Sequence, residues 1–252
     1  RRMRYGLKLP DGMDSQFREA SLKECRLSIR GMIASLSGFH LDPIAKVDHA
    51  NHKQLQLQVA QQLGLLIPGT LTSNNPEAVK QFAQEFEATG IVTKMLSQFA
   101  IYGDKQEEMV VFTSPVTKED LDNLEGLQFC PMTFQENIPK ALELRITIVG
   151  EQIFTAAINS QQLDGAIYDW RKEGRALHQQ WQPYDLPKTI AKQLLELMKY
   201  FGLNYGAIDM IVTPDERYIF LEINPVGEFF WLELYPPYFP ISQAIAEILV
   251  NS

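Results

Sequence analysis

Apolar positions in the first third of the chain recur at the three- and four-residue spacing that is typical of helices. They predict one helix over residues 14–37, with Asp14 as its cap, and a second helix over residues 53–63. A strand over residues 65–71 follows, and then Asn75-Pro76-Glu77 opens another helix, with Pro near its first position. The stripe of the first helix consists of Phe17, Cys25, Ile29, Met32, Ile33 and Leu36.

After Gly90 the pattern changes to the alternation that indicates strands. A strand over residues 91–96 leads into a hairpin that turns at Gly103-Asp104 and returns over residues 109–113. Thr117 and Asp120 then form a capping-box signal for a short helix. Further strands are predicted over residues 128–136, 142–149 and 151–159, and we expect these three to form an antiparallel meander.

The last third of the chain predicts a helix that starts at Pro187, continues to Tyr200 and is closed by Gly202. Two strands, over residues 205–213 and 218–223, come next, and a final helix covers residues 241–250. Because runs of strands and helices are mixed, the sequence predicts an α+β fold.

Composition narrows the class of protein. The 252 residues are 45% hydrophobic, which excludes a disordered chain, and the net charge of −8 argues against nucleic acid as a partner. No apolar run approaches the roughly 18 residues of a membrane span, so we expect no membrane partner and a cytoplasmic location. Cys25 and Cys130 are too few for a zinc cluster, and we expect both thiols to be reduced and buried. Since the chain opens on Arg1 in mid-pattern, we also expect a missing N-terminal segment.

A candidate metal site comes from the hairpin around Pro214-Asp215-Glu216-Arg217. If the two central residues form the turn, Asp209 faces Glu222 across the ladder, and Asn224 lies two residues further on the same face. Two carboxylates about 4 Å apart at an effective dielectric near 20 repel by roughly 4 kcal/mol, so a cation should lie between them. Oxygen-only ligands of this kind suit Mg²⁺ bound with a nucleotide better than zinc or a closed calcium cage.

Spacing alone does not decide whether this hairpin forms a metal site. A one-residue bulge would move Asp209 to the opposite face of the sheet. In the other alternative, the two acids of an exposed hairpin simply face solvent.

Phosphate-binding glycine motifs are absent, so side-chain cations would have to hold a nucleotide. Lys94 is a lone charge in an apolar strand, where an unpaired ammonium is costly, and this favours a functional role. For Arg145 and Arg171, spacing alone favours ordinary salt bridges.

The order of several motifs resembles an ATP-grasp ligase over nearly the whole chain. Three further segments resemble the microviridin-type peptide-cyclising ligases: Phe129-Cys130-Pro131-Met132-Thr133-Phe134, Asp169-Trp170-Arg171-Lys172 and Asn224-Pro225-Val226-Gly227-Glu228-Phe229. Within that family the sequence is more similar to the ester-forming branch than to the amide-forming branch. The ATP-grasp motifs are Asn51-His52-Lys53-Gln54, Gly64-Leu65-Leu66-Ile67-Pro68, Lys94, Phe134-Gln135-Glu136-Asn137-Ile138, Glu143-Leu144-Arg145, Gly206-Ala207-Ile208-Asp209 and Leu221-Glu222-Ile223-Asn224-Pro225.

The resemblance implies a role for each matching residue. ATP phosphates would be held by Lys53 and Lys94, adenine by the backbone of Glu136 and Ile138, and the ribose hydroxyls by Glu143. It implies magnesium ligation by Asp209, Glu222 and Asn224. It also implies that Arg145 and Arg171 stabilise charge on the transferring phosphoryl group and the acyl phosphate.

The family fold implies an N-terminal subdomain followed by two α+β lobes that grip ATP. We expect residues 1–50 to be the remainder of that subdomain with a connecting helix, and most of the subdomain to be missing. Residues 51–125 would form the smaller lobe with its hairpin, and residues 126–252 the larger lobe with the magnesium site.

The implied activity is ATP-dependent closure of ester rings in a ribosomal precursor peptide that is guided by its leader. An amide-forming or amino-acid-adding ligase and a non-catalytic peptide-binding module are the alternatives. The acidic segment 118–122 and the hairpin before it would dock the leader, but a plain solvated face is the better interpretation of those charges alone. The aromatic residues 229–231 and 235–239 would line a peptide groove, but packing of the last helix or a homodimer contact is the better interpretation.

Overall fold

The fold is described from a computed structural model, and the description covers residues 8–95, 100–102, 108–110, 112–162, 165, 167–173 and 177–251. The helices in these ranges are α1 (Ser15–Ala34), α2 (Ile44–Ala50), α3 (Lys53–Gln62), α4 (Pro76–Glu85), α5 (Lys118–Asp122), α6 (Lys188–Phe201), α7 (Phe230–Leu234) and α8 (Ile241–Val250). The strands are β1 (Thr70–Ser73), β2 (Ile91–Lys94), β3 (Ala100–Tyr102), β4 (Glu108–Val110), β5 (Ser114–Pro115), β6 (Met132–Glu136), β7 (Leu142–Val149), β8 (Gln152–Ile158), β9 (Gln182–Pro183), β10 (Tyr205–Val212) and β11 (Tyr218–Asn224). Within this part of the chain, no helix is both long enough and apolar enough to cross a bilayer.

Two antiparallel sheets organise the chain. The smaller one has the strand order β1-β6-β2-β5, and the larger one has the order β11-β10-β7-β8-β9. Strands β3 and β4 form a separate two-stranded hairpin. The mixture of helices and antiparallel strands confirms the predicted α+β class.

The smaller sheet has one apolar and one polar face, because side chains alternate along its strands. Phe134 on the apolar face packs against Phe82 of α4 in a buried cluster. The neighbouring positions Thr133 and Gln135 are polar, and Thr133 is paired with Lys94 across the ladder. Lys94 and Gln135 line the cleft between the two sheets, so the polar face of the smaller sheet is turned towards that cleft.

The larger sheet forms the main core. Ile146 and Ile148 of β7 are fully buried, together with Leu194 and Leu197 of α6. Leu57 of α3 belongs to the same cluster, so α3 packs on the larger sheet although the sequence assigns it to the smaller lobe. The domain boundaries at residues 50 and 125 stay a prediction.

Local capping signals are confirmed where the sequence contains them. The side chain of Asn75 accepts a hydrogen bond from the Glu77 amide at the start of α4. Thr117 and Asp120 form the complete capping box of α5. Gly202 closes α6 with a left-handed backbone at φ 65°. The predicted turn at Gly103-Asp104 lies outside the described residues, but the strands on either side of it pair as expected.

Two predictions about strands are wrong. The strand predicted over residues 65–71 begins only at Thr70, and Leu66 makes an isolated bridge with Ile219 instead. The predicted meander is also divided, because β6 joins the smaller sheet while β7 and β8 pair in the larger sheet. Sequence alternation identifies strands but not their distant partners, which explains the second error.

Two predictions about burial are also wrong. Cys130 is exposed and Cys25 is half-buried, and both are free cysteines. Helix α1 buries none of its described side chains, and Phe17, Met32 and Leu36 of its predicted stripe are 71%, 68% and 64% exposed. The periodicity therefore predicted the helix correctly but not its environment.

The aromatic segment near the C-terminus packs into a second core. The ring of Trp231 lies 5.4 Å from the ring of Trp170 and 4.9 Å from that of Trp181. Leu232 of α7 and Ile241 of α8, the last helix, are fully buried in the same cluster. The sequence favoured two interpretations of this aromatic run, packing of the C-terminal helix and a dimer contact. The packing is confirmed for the central residues of the run.

Candidate active site

The hairpin β10–β11 has the pairing that the sequence predicts at the candidate metal site, since Asp209 lies opposite Glu222. The turn itself differs from the prediction. Its loop has three residues, 214–216, and Glu216 adopts a left-handed backbone at φ 61°. This loop shifts the pairing near the turn by one residue, and a bulge that skips Leu221 shifts it back. The bulge therefore brings the two acids face to face.

Three oxygen-bearing side chains converge on this face of the sheet. The amide Nδ2 of Asn224 lies 3.2 Å from Glu222 Oε1 and 3.5 Å from Asp209 Oδ2. The side chains of Asp209 and Glu222 are each only 23% exposed. The alternative in which the acids of an exposed hairpin face solvent is therefore wrong.

Two protein cations contact these acids. The Nζ of Lys53 lies 2.7 Å from Glu222 Oε2 and also donates to Asn224 Oδ1 at 3.3 Å. Arg145, paired with Asp209 on the neighbouring strand, donates to its two carboxylate oxygens at 2.8 and 3.1 Å. We expected a positive charge between the two acids, and Lys53 and Arg145 supply part of it.

These contacts set the protonation states of the site. Burial opposes ionisation of Glu222, but the charges of Lys53 and Lys94 outweigh it and hold the pKa of Glu222 well below its usual range. Burial likewise opposes the charge of Arg145, and Asp209 outweighs it, so the pKa of Arg145 is raised. Glu222 is therefore ionised at neutral pH, as metal ligation by its carboxylate requires.

Lys94 approaches the same cluster from the smaller sheet. Its side chain lines the cleft together with Asp209 and Glu222. Burial lowers the pKa of Lys94 below its usual value, although the two carboxylates act in the opposite direction. An ammonium in this position is suited to a phosphate, whose charge would offset the cost of burial.

Arg171 is held at the mouth of the cleft by Asp169. Its Nε and Nη2 lie 2.7 and 2.5 Å from the two carboxylate oxygens of Asp169. Asp169 also accepts a hydrogen bond at 3.2 Å from the backbone amide of Thr113, which belongs to the segment before β5. These hydrogen bonds raise the pKa of Arg171 and, against the effect of burial, lower that of Asp169. Asp169 therefore joins the two sides of the cleft.

The remaining predicted contacts lie along the opposite wall. The amide of Glu136 donates to Gly69 at 2.9 Å, and the side chain of Ile138 is buried. Glu143 is buried beside Lys140, at 3.2 Å, and accepts a hydrogen bond from Ser160 at 2.5 Å. Burial raises the pKa of Glu143, and these two contacts only partly offset the effect.

Most of the predicted site residues therefore lie in one cleft. Seven of them line it directly: Lys94, Glu136, Ile138, Glu143, Arg171, Asp209 and Glu222. The other three, Lys53, Arg145 and Asn224, contact the carboxylates of Asp209 and Glu222. Sequence reasoning missed Lys140, Tyr168 and Thr113, which also line the cleft. Only Lys140 carries a sequence signal, because it precedes Glu143 by three residues.

The residues present fit Mg²⁺. Among the described residues, no three His, Cys, Asp or Glu side chains gather as a metal site, so Asn224 would have to supply the third ligand. Its Nδ2 now faces the carboxylates and its Oδ1 faces Lys53, so the amide would have to turn over to offer its oxygen. The resulting all-oxygen set, with places left for phosphate and water, is the kind that Mg²⁺ prefers.

The chain is similar to several known proteins. Residues 1–48 match the family model of the MvdD pre-ATP grasp domain. No curated protein sequence matches the chain. Among solved structures, macrocyclase MdnC from Microcystis aeruginosa MRC, bound with precursor peptide MdnA, is 92% identical with a TM-score of 0.90. The match covers 100% of this chain and 76% of that one.

Two further structures extend the comparison. A Chryseobacterium gregarium RiPP-associated ATP-grasp ligase in complex with ADP, and a leader and core peptide, is 40% identical with a TM-score of 0.89, covering 95% of this chain and 71% of that one. Macrocyclase MdnB from Microcystis aeruginosa MRC is 38% identical with a TM-score of 0.78, covering 98% of this chain and 75% of that one. The chain thus belongs to the ATP-grasp ligases of the microviridin macrocyclase family.

Proposed function

We propose that this enzyme activates Asp or Glu side-chain carboxylates of a ribosomal precursor peptide as acyl phosphates and closes ω-ester rings with Thr or Ser hydroxyls. The observation that carries the proposal is the convergence of Asp209, Glu222 and Asn224 on one face, with Lys94 opposite them in the cleft. Ester rather than amide formation is proposed on the sequence resemblance to the ester-forming branch.

ATP and Mg²⁺ are the proposed cofactors. The 40% identical ligase was solved in complex with ADP, which supports nucleotide binding here. When bound, ATP would supply the phosphoryl group that makes a carboxylate electrophilic. Asp209, Glu222 and Asn224 would hold the magnesium. Lys94 would hold phosphate from the smaller sheet, and Lys53 would do so from the metal side, where its ammonium already contacts Glu222.

The nucleoside would lie along the opposite wall of the cleft. Since the amide of Glu136 already donates to Gly69, Glu136 would contact adenine through its carbonyl group, and Ile138 would contribute its backbone. Glu143, buried beside Lys140, would accept from the ribose hydroxyls. Both proposals require only groups that line the cleft or its wall.

The two arginines would stabilise the negative charge that develops during transfer. Arg145 is fixed by Asp209 and by the backbone oxygen of Glu228, at 3.2 Å. Arg171 is fixed by Asp169, and its side chain is 41% exposed, so it can meet an incoming substrate. Preorganised guanidinium groups of this kind lower the barrier because they need no rearrangement during the reaction.

The proposed partner is a leader-bearing precursor peptide. The structure of a 92% identical macrocyclase contains a precursor peptide, and a 40% identical ligase contains a leader and a core peptide. We further propose that the enzyme acts in the cytoplasm, with no nucleic acid as partner. A homodimer contact through the exposed aromatic residues Phe230 and Tyr238 is also proposed, since they are 47% and 65% exposed.

Mass spectrometry of products tests the function. The protein is incubated with ATP, Mg²⁺ and a leader-bearing precursor, and each ring closed should remove the mass of one water. Mild alkaline hydrolysis should then restore that mass, because esters hydrolyse where amides persist. A gain of one residue would indicate an amino-acid-adding ligase, and an unchanged mass would indicate a binding module.

The Glu222→Gln variant is the test of the metal assignment within this assay. It keeps the size of the side chain but removes the charge that we assign to Mg²⁺. We expect ring formation to fall by at least about a hundredfold, in the range typical for the loss of a preorganised electrostatic contact. Parental turnover by Glu222→Gln would refute the assignment of this hairpin as the metal site.

A further inference from the structure

The strand that carries two proposed metal ligands lies at the edge of its sheet. Strand β11 pairs with β10 on one side, and on the other side no strand of the described ranges joins it in the larger sheet. An edge strand presents unpaired N–H and C=O groups, and these need partners when they are buried. Near the turn, Leu66 supplies one partner by accepting a hydrogen bond at 2.8 Å from the Phe220 amide.

At the metal end of β11, a side chain takes the place of a strand. The Oε1 of Gln56 accepts a hydrogen bond at 2.9 Å from the Ile223 amide, and its Nε2 donates at 2.9 Å to the Ile223 carbonyl. The second proton of Nε2 goes to the carbonyl of Ala50 at the end of α2. Gln56 is only 1% exposed, so these hydrogen bonds are made away from bulk water.

These hydrogen bonds act on the spacing of the metal ligands. Ile223 stands between Glu222 and Asn224, and its own side chain is fully buried in the core. Because side chains alternate along a strand, fixing the backbone of Ile223 directs both neighbours to the opposite, cleft-facing side. Lys53 lies one turn earlier on the same helix and donates to the same carbonyl at 3.0 Å.

We propose that Gln56 is a positioning residue, which sets the geometry of Glu222 and Asn224 for Mg²⁺ by fixing both backbone groups of Ile223. This inference rests on the proposed function, because it concerns the same metal site. Groups that orient metal ligands typically change metal affinity by about 10- to 100-fold when they are removed. Gln56 itself touches neither metal nor substrate.

The experiment compares Gln56→Met with a matched control, Gln193→Met. Gln193 also uses its amide to hold backbone, but this hydrogen bond, at 3.0 Å, goes to Leu63 at the other end of α3 rather than to β11. Binding of ADP is measured by calorimetry at a series of Mg²⁺ concentrations and also without Mg²⁺. Thermal unfolding of each variant reports the structural cost.

We expect Gln56→Met to weaken the apparent Mg²⁺ affinity by at least about tenfold, while ADP binding without Mg²⁺ changes by less than about twofold. Gln193→Met should keep the parental Mg²⁺ dependence even at a similar loss of thermal stability. Parental Mg²⁺ affinity in Gln56→Met would overturn the proposal. So would an equal loss of Mg²⁺ affinity in Gln193→Met.

A second measurement, on the unaltered protein, covers the case in which Gln56→Met does not fold. Amide hydrogen exchange at Ile223 should be protected by the Gln56 oxygen, and Mg²⁺ with ADP should protect it further. Exchange of the Ile223 amide at the rate of an unprotected edge strand would overturn the proposal. Failure of the parent to bind ADP with Mg²⁺ would instead count against the proposed function and would leave the protection of Ile223 as the deciding result.

Discussion

Removing Arg145 should destabilise the protein because it leaves a buried carboxylate without its partner. Arg145 is 8% exposed and lies between Asp209 and the backbone oxygen of Glu228. In Arg145→Met the chain keeps an apolar side chain of similar length but loses the guanidinium. Asp209 then faces Glu222 across the ladder without the guanidinium that contacted both of its carboxylate oxygens.

The size of this effect follows from burial. Breaking a fully buried ion pair by removing one partner costs about 3–5 kcal/mol. Because the Asp209 side chain is 23% exposed, solvent screens part of that loss, and we expect about 2–3 kcal/mol. For a chain of this size, such a loss lowers the midpoint of thermal unfolding by roughly 4–12 °C.

Urea unfolding of a double-mutant cycle measures the interaction directly. The cycle compares Arg145→Met, Asp209→Asn and the double variant, and we expect a coupling energy of at least about 1 kcal/mol. Arg217→Met is the matched control. Arg217 pairs with Asp215 in the turn of the same hairpin, but both side chains are more than half exposed. That exposed pair should contribute less than about 1 kcal/mol.

Two outcomes would refute this reasoning about the buried pair. One is a coupling energy near zero, since Arg145 would then act by packing alone. The other is an equal loss of stability in Arg217→Met, since burial would then not determine the strength of the pair. Addition of Mg²⁺ with ADP should recover part of the lost stability in Arg145→Met, because a ligand that binds only the folded state stabilises it.

The remaining predictions concern the cleft mouth and a tight glycine. Asp169→Asn should release Arg171 and lower stability at neutral pH by about 1–3 kcal/mol, the range for hydrogen bonds to charged groups. The pKa of Asp169 in the folded protein lies below its usual value, so its contribution to stability is present above about pH 4 and is lost as pH falls through that folded pKa. The urea midpoints of the parent and Asp169→Asn should therefore converge in acid. Midpoints that stay parallel would contradict this. Gly227→Ala should lower stability in thermal unfolding by about 1–3 kcal/mol, because the new Cβ would lie 2.5 Å from the Ala207 Cβ. Gly126→Ala is the control and should be neutral, since no atom lies within 4 Å of its new Cβ. Similar losses in both variants would contradict the clash.

Local chemistry in the sequence was sufficient to predict several element ends. Asn75 and the Thr117–Asp120 box hydrogen-bond within a few residues, so their signals do not depend on the rest of the fold. Gly202 likewise reports a local backbone requirement at the end of α6. These signals predicted the helix ends correctly because the interactions that produce them lie within one helical turn.

Partners that are distant in sequence could not be predicted in the same way. Strand β6 alternates as a strand should, but nothing local indicates that it pairs with β1 and β2 rather than with β7. The exposed face of α1 is a similar case, because periodicity reports an apolar stripe and not what lies against it. Such choices depend on the packing of whole layers.

At the metal hairpin the predicted pairing is correct, but the structure reaches it in a different way. The predicted two-residue turn would place Asp209 opposite Glu222 without any irregularity. The three-residue loop closed by Glu216 would by itself move that pairing, and the bulge at Leu221 restores it. Turn signals therefore predicted a hairpin, but the register at the site was set by a bulge that carries no signal in a single sequence.

The charges around this hairpin also bear on how Mg²⁺ would bind. Asp209 and Glu222 contribute two negative charges, and Arg145 and Lys53, in direct contact with them, contribute two positive charges. Free Mg²⁺ would therefore meet a site that is already compensated and would gain little by replacing one of those contacts. Nucleotide phosphates would change the balance, because they would bring further negative charge to the half-buried Lys94 ammonium and would give Lys53 a partner when Mg²⁺ takes its place. From this balance we infer that the metal and the nucleotide bind as one unit, each making the position of the other favourable.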